Sequence, residues 1–179
     1  MTTPAVRVAT TDDIPALQAL IARSVRELGA AFYTPAQLEA ALIAVFGVDS
    51  QLIADATYHI IDSTSGPAAA GGWSFRRTLY GGDQMKTDVD PRLDPATEPA
   101  RIRAFFVHPD WARRGLARQL YAECERAATS AGFHEFELMA TLPGEPLYAA
   151  LGFIASERVS LPLDNGVELP LVRMKRRIG

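Results

Sequence analysis

The chain has 179 residues, 48% of them apolar and 22% charged, which is enough to build one ordinary globular core without a disulfide or metal staple. Its formal charge of −3 argues against a nucleic-acid binder, whose surface is normally basic. The single cysteine, Cys124, has no partner within the chain, so nothing points to an oxidising compartment. The opening MTTPAVRVATTDDIP lacks the basic and apolar regions of a secretory leader, and no apolar run reaches bilayer length; a cytoplasmic protein with no membrane partner is expected.

Val6 and Val8 alternate with polar neighbours and predict a short strand. Thr10 or Thr11 suits a helix cap, with Asp12 and Asp13 in the first turn. Ile14, Leu17, Leu20, Ile21, Val25 and Leu28 then follow helical spacing up to Gly29. Thr34-Pro35 opens a second helix that carries Leu38, Leu42, Ile43 and Phe46 and ends near Gly47. Residues 51–63 predict a strand, 63–67 a turn, and 68–77 a partner strand with a bulge at Gly71-Gly72. Residues 80–99 have little periodicity. They hold Asp83, Asp88, Asp90, Asp94 and Glu98, and read either as a mobile surface loop or as a substrate-side flap.

Ala104 to Val107 form the apolar end of a strand over 101–107, broken by His108-Pro109-Asp110-Trp111. A helix over about 113–131 follows, with Leu116, Leu120, Cys124, Ala127 and Ala131 on one face and Gly132 as its stop. A strand over 133–141, a helix over 147–151 stopped by Gly152, a strand beginning at Phe153-Ile154 and a last strand over 168–177 complete the series. No internal repeat and no second domain are evident, so residues 1–179 read as one domain.

The strand that ends at Val107 feeds a basic, glycine-bearing turn and a helix N-terminus. Free N–H groups and the macrodipole at such an end attract phosphate. Gly115 permits close approach, and Arg113, Arg114 and Arg118 add donors. Three arginines oppose the dipole unless an anion is present. There is no Walker-type loop and no Gly-x-Gly-x-x-Gly. The three histidines are scattered, so no metal site is expected. Ser74 lacks the glycine-flanked elbow of a serine hydrolase. Trp73 and Trp111 read as packing residues, although either would serve as a pocket wall.

Val107-x-Pro109 followed by Arg113-Arg114-Gly115-Leu116-Ala117 resembles motif A of the GNAT N-acetyltransferase superfamily, and Tyr148-Ala149-Ala150-Leu151-Gly152-Phe153 resembles its motif B. The order of elements before them is also similar. The resemblance implies a mixed, mostly antiparallel α/β sheet of six or seven strands, flanked by about four helices. Its two central parallel strands, 101–107 and 135–141, would splay around acetyl-CoA. The pantetheine would then pair with backbone of Phe106 and Val107, and the pyrophosphate would sit on Arg113, Arg114, Gly115, Leu116, Ala117 and Arg118. Tyr148 would be the general acid and contact the thioester. No metal would take part, and the partner would be a small-molecule or peptide amine that attacks directly in a ternary complex. Homodimers are common among such proteins.

Two departures stand out. Ala112 occupies a position usually held by Arg or Gln, and no asparagine follows the second motif's strand, where Thr141-Leu142-Pro143-Gly144-Glu145 stands. The strand 101–107 holds no carboxylate to serve as base. Glu98 is the candidate for that role, with Glu137, Glu145 and His108 weaker. A non-catalytic acyl-CoA-binding module, or a domain for another phosphorylated ligand, are the competing readings. The acids of 80–99 point to a cationic acceptor such as a polyamine or aminoglycoside.

Overall fold

Thr10 marks the change from the first strand to the first helix. The computed structural model describes residues 4–179; residues 1–3, the start of the expected single domain, lie outside it. β1 (Val6–Val8) is followed by a cap at Thr10, whose backbone N–H donates to Asp13 at 2.8 Å as part of a capping box. A 3-10 turn over Thr11–Asp13 runs into α1 (Ile14–Gly29), which buries Leu17, Leu20, Ile21 and Val25. α2 (Pro35–Ala44) starts on a second capping box, in which Thr34 accepts from the Gln37 N–H at 3.2 Å.

The expected strand over 51–63 is half helix. α3 (Ser50–Ala54) occupies its first part, and β2 (Tyr58–Ser63) begins later. Asp49 accepts from the Gln51 N–H at 3.0 Å and caps α3, which buries Leu52 and Ile53. β3 (Gly66–Ser74) is shorter than predicted, because Arg76 leaves the sheet to bind Asp55 at 2.6 Å. β4 (Ala100–Val107) follows, and a 3-10 turn over Pro109–Trp111 delays α4 to Leu116–Ser130. The expected face of α4 holds at Leu116, Leu120 and Cys124, but Tyr121 and Ala128 are buried rather than Ala127 and Ala131. β5 (Glu135–Thr141), α5 (Glu145–Ala150), β6 (Ile154–Pro162) and β7 (Glu168–Arg177) complete the chain. Five α-helices therefore stand where about four were expected among the described residues, α3 being the addition.

The seven strands form one sheet in the order β1-β2-β3-β4-β5-β7-β6. All pairings are antiparallel except β4 with β5. Leu17, Leu20, Ile21 and Leu38 pack on one face against Ile60 and Ala70. Tyr121, Cys124 and Phe153 pack on the other against Ile102, Phe136 and Leu138. Each fully buried side chain of this size contributes about 1.5–3 kcal/mol. Trp73 lies in this second core, edge-on to Phe75 and Phe133.

Residues 80–99 are folded against the sheet. Asp83 accepts from the Ser50 N–H and hydroxyl at 3.0 Å, Asp90 accepts from the Thr78 N–H at 2.9 Å, and Leu93 is buried. No helix among the described residues is long and apolar enough to cross a membrane.

Candidate active site

β4 carries the main distortion of the sheet. Its register with β3 slips between Ala70↔Phe106 and Gly72↔Arg103, so Gly71 alone opposes Ala104 and Phe105. Ala104 takes φ +53°, unusual for a residue with a Cβ, and its carbonyl accepts from the Tyr58 hydroxyl at 2.8 Å. Glycine is required opposite the bulge, because a Cβ at Gly71 would lie 2.4 Å from the Phe105 ring.

Past the bulge the two parallel strands part. β4 and β5 pair only at Ala100↔Phe136 and Arg101↔Glu137. Buried Glu137 sits at this apex, paired with Arg101 at 3.4 Å, Lys175 at 3.8 Å and Arg173. β5 is held along its whole length by β7, so it cannot follow β4. The gap opens into a cleft of about 240 Å³. Residues 102–107 of β4 line one side of it, and Leu138, Met139 and Thr141 of β5 the other. Ala117 of α4 and Tyr148 of α5 also contribute. Phe106 lies edge-on to Phe46, 6.2 Å between ring centres.

Tyr148 is buried, with its ring edge-on to Phe153 at 5.7 Å and tilted against Phe105 at 6.2 Å. Burial pushes its phenol well above the ordinary value, so it keeps its proton at neutral pH. No side chain or backbone group among the described residues hydrogen-bonds its hydroxyl.

At the other end of the cleft the chain turns into α4. Arg113 and Gly115 take φ +65° and +83°, and no side chain caps the helix. The first N–H with a helical partner is that of Gln119, bonded to the Gly115 carbonyl at 3.1 Å. The N–H groups of Leu116, Ala117 and Arg118 precede that bond and have no helical partner, as at any uncapped helix start. A Cβ built at Gly115 would meet nothing within 4 Å, so the space beside this residue is open. Arg113, Arg114 and Arg118 are exposed around it, and the Arg114 guanidinium stacks 4.7 Å from the Trp111 ring centre. The donors, the positive charge and the open cradle fit a diphosphate. The diverging strand edges offer unpaired backbone to an extended chain.

The predicted residues are not all brought together. Phe106, Val107, Ala117 and Tyr148 line one cleft; Arg113, Arg114, Gly115 and Arg118 are exposed around the start of the helix that carries Ala117, and the Leu116 side chain is buried against Ile61 and Ala69. Glu98 is elsewhere. It accepts from the Asp94 N–H at 2.7 Å and faces Arg77 at 3.8 Å. It lies before β4, about 20 Å along the strand from Phe105. Glu145 is paired with Arg158 at 2.8 Å, and His108 contacts Arg23 at 2.9 Å and caps the 109–111 turn. Neither lines the cleft, and Trp73 and Trp111 do not wall it.

Sequence reasoning missed Arg103. It lines the cleft, yet its side chain is 1% exposed and pairs with the equally buried Asp49 at 2.9 Å. It also donates to the Gly81 carbonyl at 2.7 Å. Burial pulls its guanidinium below the usual value against the opposing pull of Asp49. Its place in an alternating strand, two residues from Arg101, is the signature of a solvated face, so the sequence held no cue.

Residues 95–177 match the acetyltransferase (GNAT) domain family. No curated protein sequence matches the chain significantly. Among solved structures, a GCN5-related N-acetyltransferase from Rhodopseudomonas palustris is 21% identical, with a TM-score of 0.71 and 99% and 98% of the two chains covered. PaiA N-acetyltransferase from Thermoplasma acidophilum, solved with coenzyme A, is 12% identical, with a TM-score of 0.65 and coverage of 98% and 99%. YncA from Salmonella typhimurium, solved with acetyl-CoA, is 15% identical, with a TM-score of 0.65 and coverage of 99% and 95%. At these identities the likeness is one of fold: a mixed seven-stranded GNAT-like sheet with a parallel central pair.

Proposed function

We propose that this chain, whose residues 95–177 match the GNAT acetyltransferase domain family, is a single catalytic domain that moves the acetyl group of acetyl-CoA to a primary amine of a small molecule or peptide. One observation carries the reading. The parting of β4 from β5 opens a cleft that runs from Tyr148 to an uncapped, arginine-ringed helix N-terminus. That combination suits a ligand with an extended amide chain and a diphosphate. PaiA and YncA, of the same fold, were solved with such a ligand.

Acetyl-CoA supplies a thioester, whose carbonyl carbon is open to attack. The chain's own groups do the rest. Backbone of Phe106 and Val107 aligns the pantetheine amides, and Arg113 to Arg118 hold the diphosphate through backbone N–H groups and guanidinium charge. Phe105 and Phe153 fix the Tyr148 ring. Its phenol keeps a proton ready for the departing sulfur, because the burial that raises its own pKa also raises the proton affinity of a thiolate beside it. Glu98 has no part in this reading.

The test is a calorimetric titration with coenzyme A and with ATP, alongside free-thiol release from acetyl-CoA under an amine panel. Coenzyme A should bind and ATP should not. Gly115→Val places a β-branched residue at a left-handed position and fills the open cradle, so its dissociation constant for coenzyme A should rise at least tenfold. Equal binding by the variant removes the proposed diphosphate site. Coenzyme A binding without thiol release under any amine favours a non-catalytic module.

A further inference from the structure

On the acetyl-transfer reading, which this inference rests on, we infer that the acceptor is a weakly basic primary amine on an apolar body, not a polyamine or other polycation. The acceptor side of the cleft is walled by Val25 and Leu28 of α1, Leu38 of α2, and Val45, Phe46 and Leu79. Its polar groups are hydroxyls, backbone and one charge, that of Arg103, among the described residues. That charge has the sign of an ammonium.

The acids of 80–99 that suggested a cation lie outside the cleft, as does Asp49 beside them, and most are engaged elsewhere. Asp49 is shared by Arg103 at 2.9 Å and Lys86 at 2.6 Å. Asp83 accepts from the Ser50 N–H and hydroxyl, Asp90 accepts from Thr78, Asp94 accepts from the Ala96 N–H at 3.0 Å, and Glu98 faces Arg77. Asp88 is exposed and touches Thr87. None of these carboxylates lines the cleft. An ammonium that entered it would lose water and gain no counter-charge, which drives it toward the neutral form.

The reaction needs that neutral form. The amine nitrogen forms its bond to the carbonyl carbon as the carbon–sulfur bond breaks, and one proton passes from nitrogen to sulfur through Tyr148. A neutral amine and a thioester thus give an amide and a thiol with no proton left over. A charged amine needs a base to remove one more proton, and the wall supplies none. An alkylammonium of pKa ~10.4 is neutral in about one molecule per thousand at pH 7.5, against about one in three for an α-amino group of pKa ~7.8. With no base in the wall, this difference of a few hundredfold in neutral amine enters kcat/KM, offset in part by the lower nucleophilicity of the less basic amine.

Three probes separate body from basicity: phenylalanine amide, phenethylamine and spermidine, each with saturating acetyl-CoA. Phenylalanine amide should exceed phenethylamine about tenfold in kcat/KM at pH 7.5, and spermidine should be slower still. The phenethylamine rate should climb about tenfold per pH unit up to about pH 9 and level only toward that amine's own pKa, whereas the phenylalanine amide rate levels near its own, lower pKa. Profiles that bend at one shared pH below 8 would reveal a protein base and overturn the inference. So would a preference for spermidine, in turnover or in calorimetric binding to the coenzyme A-loaded protein. Either result leaves the transfer reading standing. No thiol release above the buffer rate with any of the three, despite coenzyme A binding, overturns both.

Discussion

Replacing Asp49 by Asn removes one charge from the most buried ion pair of the cleft wall. Asp49 and Arg103 side chains are each 1% exposed, with nitrogen and oxygen 2.9 Å apart. Asn keeps the volume and remains a good cap for α3, so the change isolates the charge. Lys86, 19% exposed in its side chain, can turn to water or to Asp90, now 3.8 Å away. Arg103 cannot: its guanidinium stays beneath Gly81 and Thr78, whose carbonyls satisfy two donors but supply no net charge. Leaving one partner of a buried pair uncompensated costs about 3–5 kcal/mol. For a chain of this size that is a fall in Tm of roughly 6–20 °C. Urea denaturation of the wild type, Asp49→Asn, Arg103→Met and the double variant measures it. The double variant should lose less than the sum of the two singles, with coupling above about 2 kcal/mol, because Met fills the site without a charge. A loss below about 1 kcal/mol for Asp49→Asn, or additivity within about 0.5 kcal/mol, would refute the buried-pair argument.

Tyr148→Phe keeps the ring against Phe105 and Phe153 and deletes only the hydroxyl, so coenzyme A affinity and stability should hardly move. Its kcat should fall about 10²–10⁴-fold, the usual worth of a positioned acid; retention of more than half the rate would remove Tyr148 from the proton path. His59 is buried on β2 with its Nδ1 unpartnered, and burial lowers its pKa, with Glu123 opposing and Arg126 adding to the shift. The unfolded chain therefore takes up this proton first as pH falls below ~6.5, and stability is lost from there down through the lowered folded value. His59→Leu should flatten the stability profile between about pH 6.5 and 5; parallel profiles in denaturant midpoint would show that this histidine does not titrate as argued. Leu17→Ala, at a fully buried position between α1 and the sheet, should cost about 2–5 kcal/mol in the same assay, and a loss under 1 kcal/mol would place the core elsewhere.

Local chemistry made much of the chain legible. Thr10 and Thr34 caps, and positive φ at Gly115, Gly132 and Gly152, fall where the residues alone demand them, because capping and glycine preference act within a few residues. The strand–turn–helix at 101–118 and the whole of β7 over 168–177 were readable for the same reason. The exceptions depended on distant partners. Leu52-Ile53 fits helix and strand periods equally, and burial against α1 and β2, with Asp49 as cap, made it helix. Arg103 had the pattern of a solvated position until Asp49, 54 residues away, took it into the core. The acids of 80–99 suggested a cationic ligand until Ser50, Thr78, Lys86 and Arg77 engaged Asp83, Asp90 and Glu98. Sequence determined where backbone donors were freed at α4. The tertiary structure decided which charges stayed free to meet a substrate, because a charge's partner in space need not be near it in the chain.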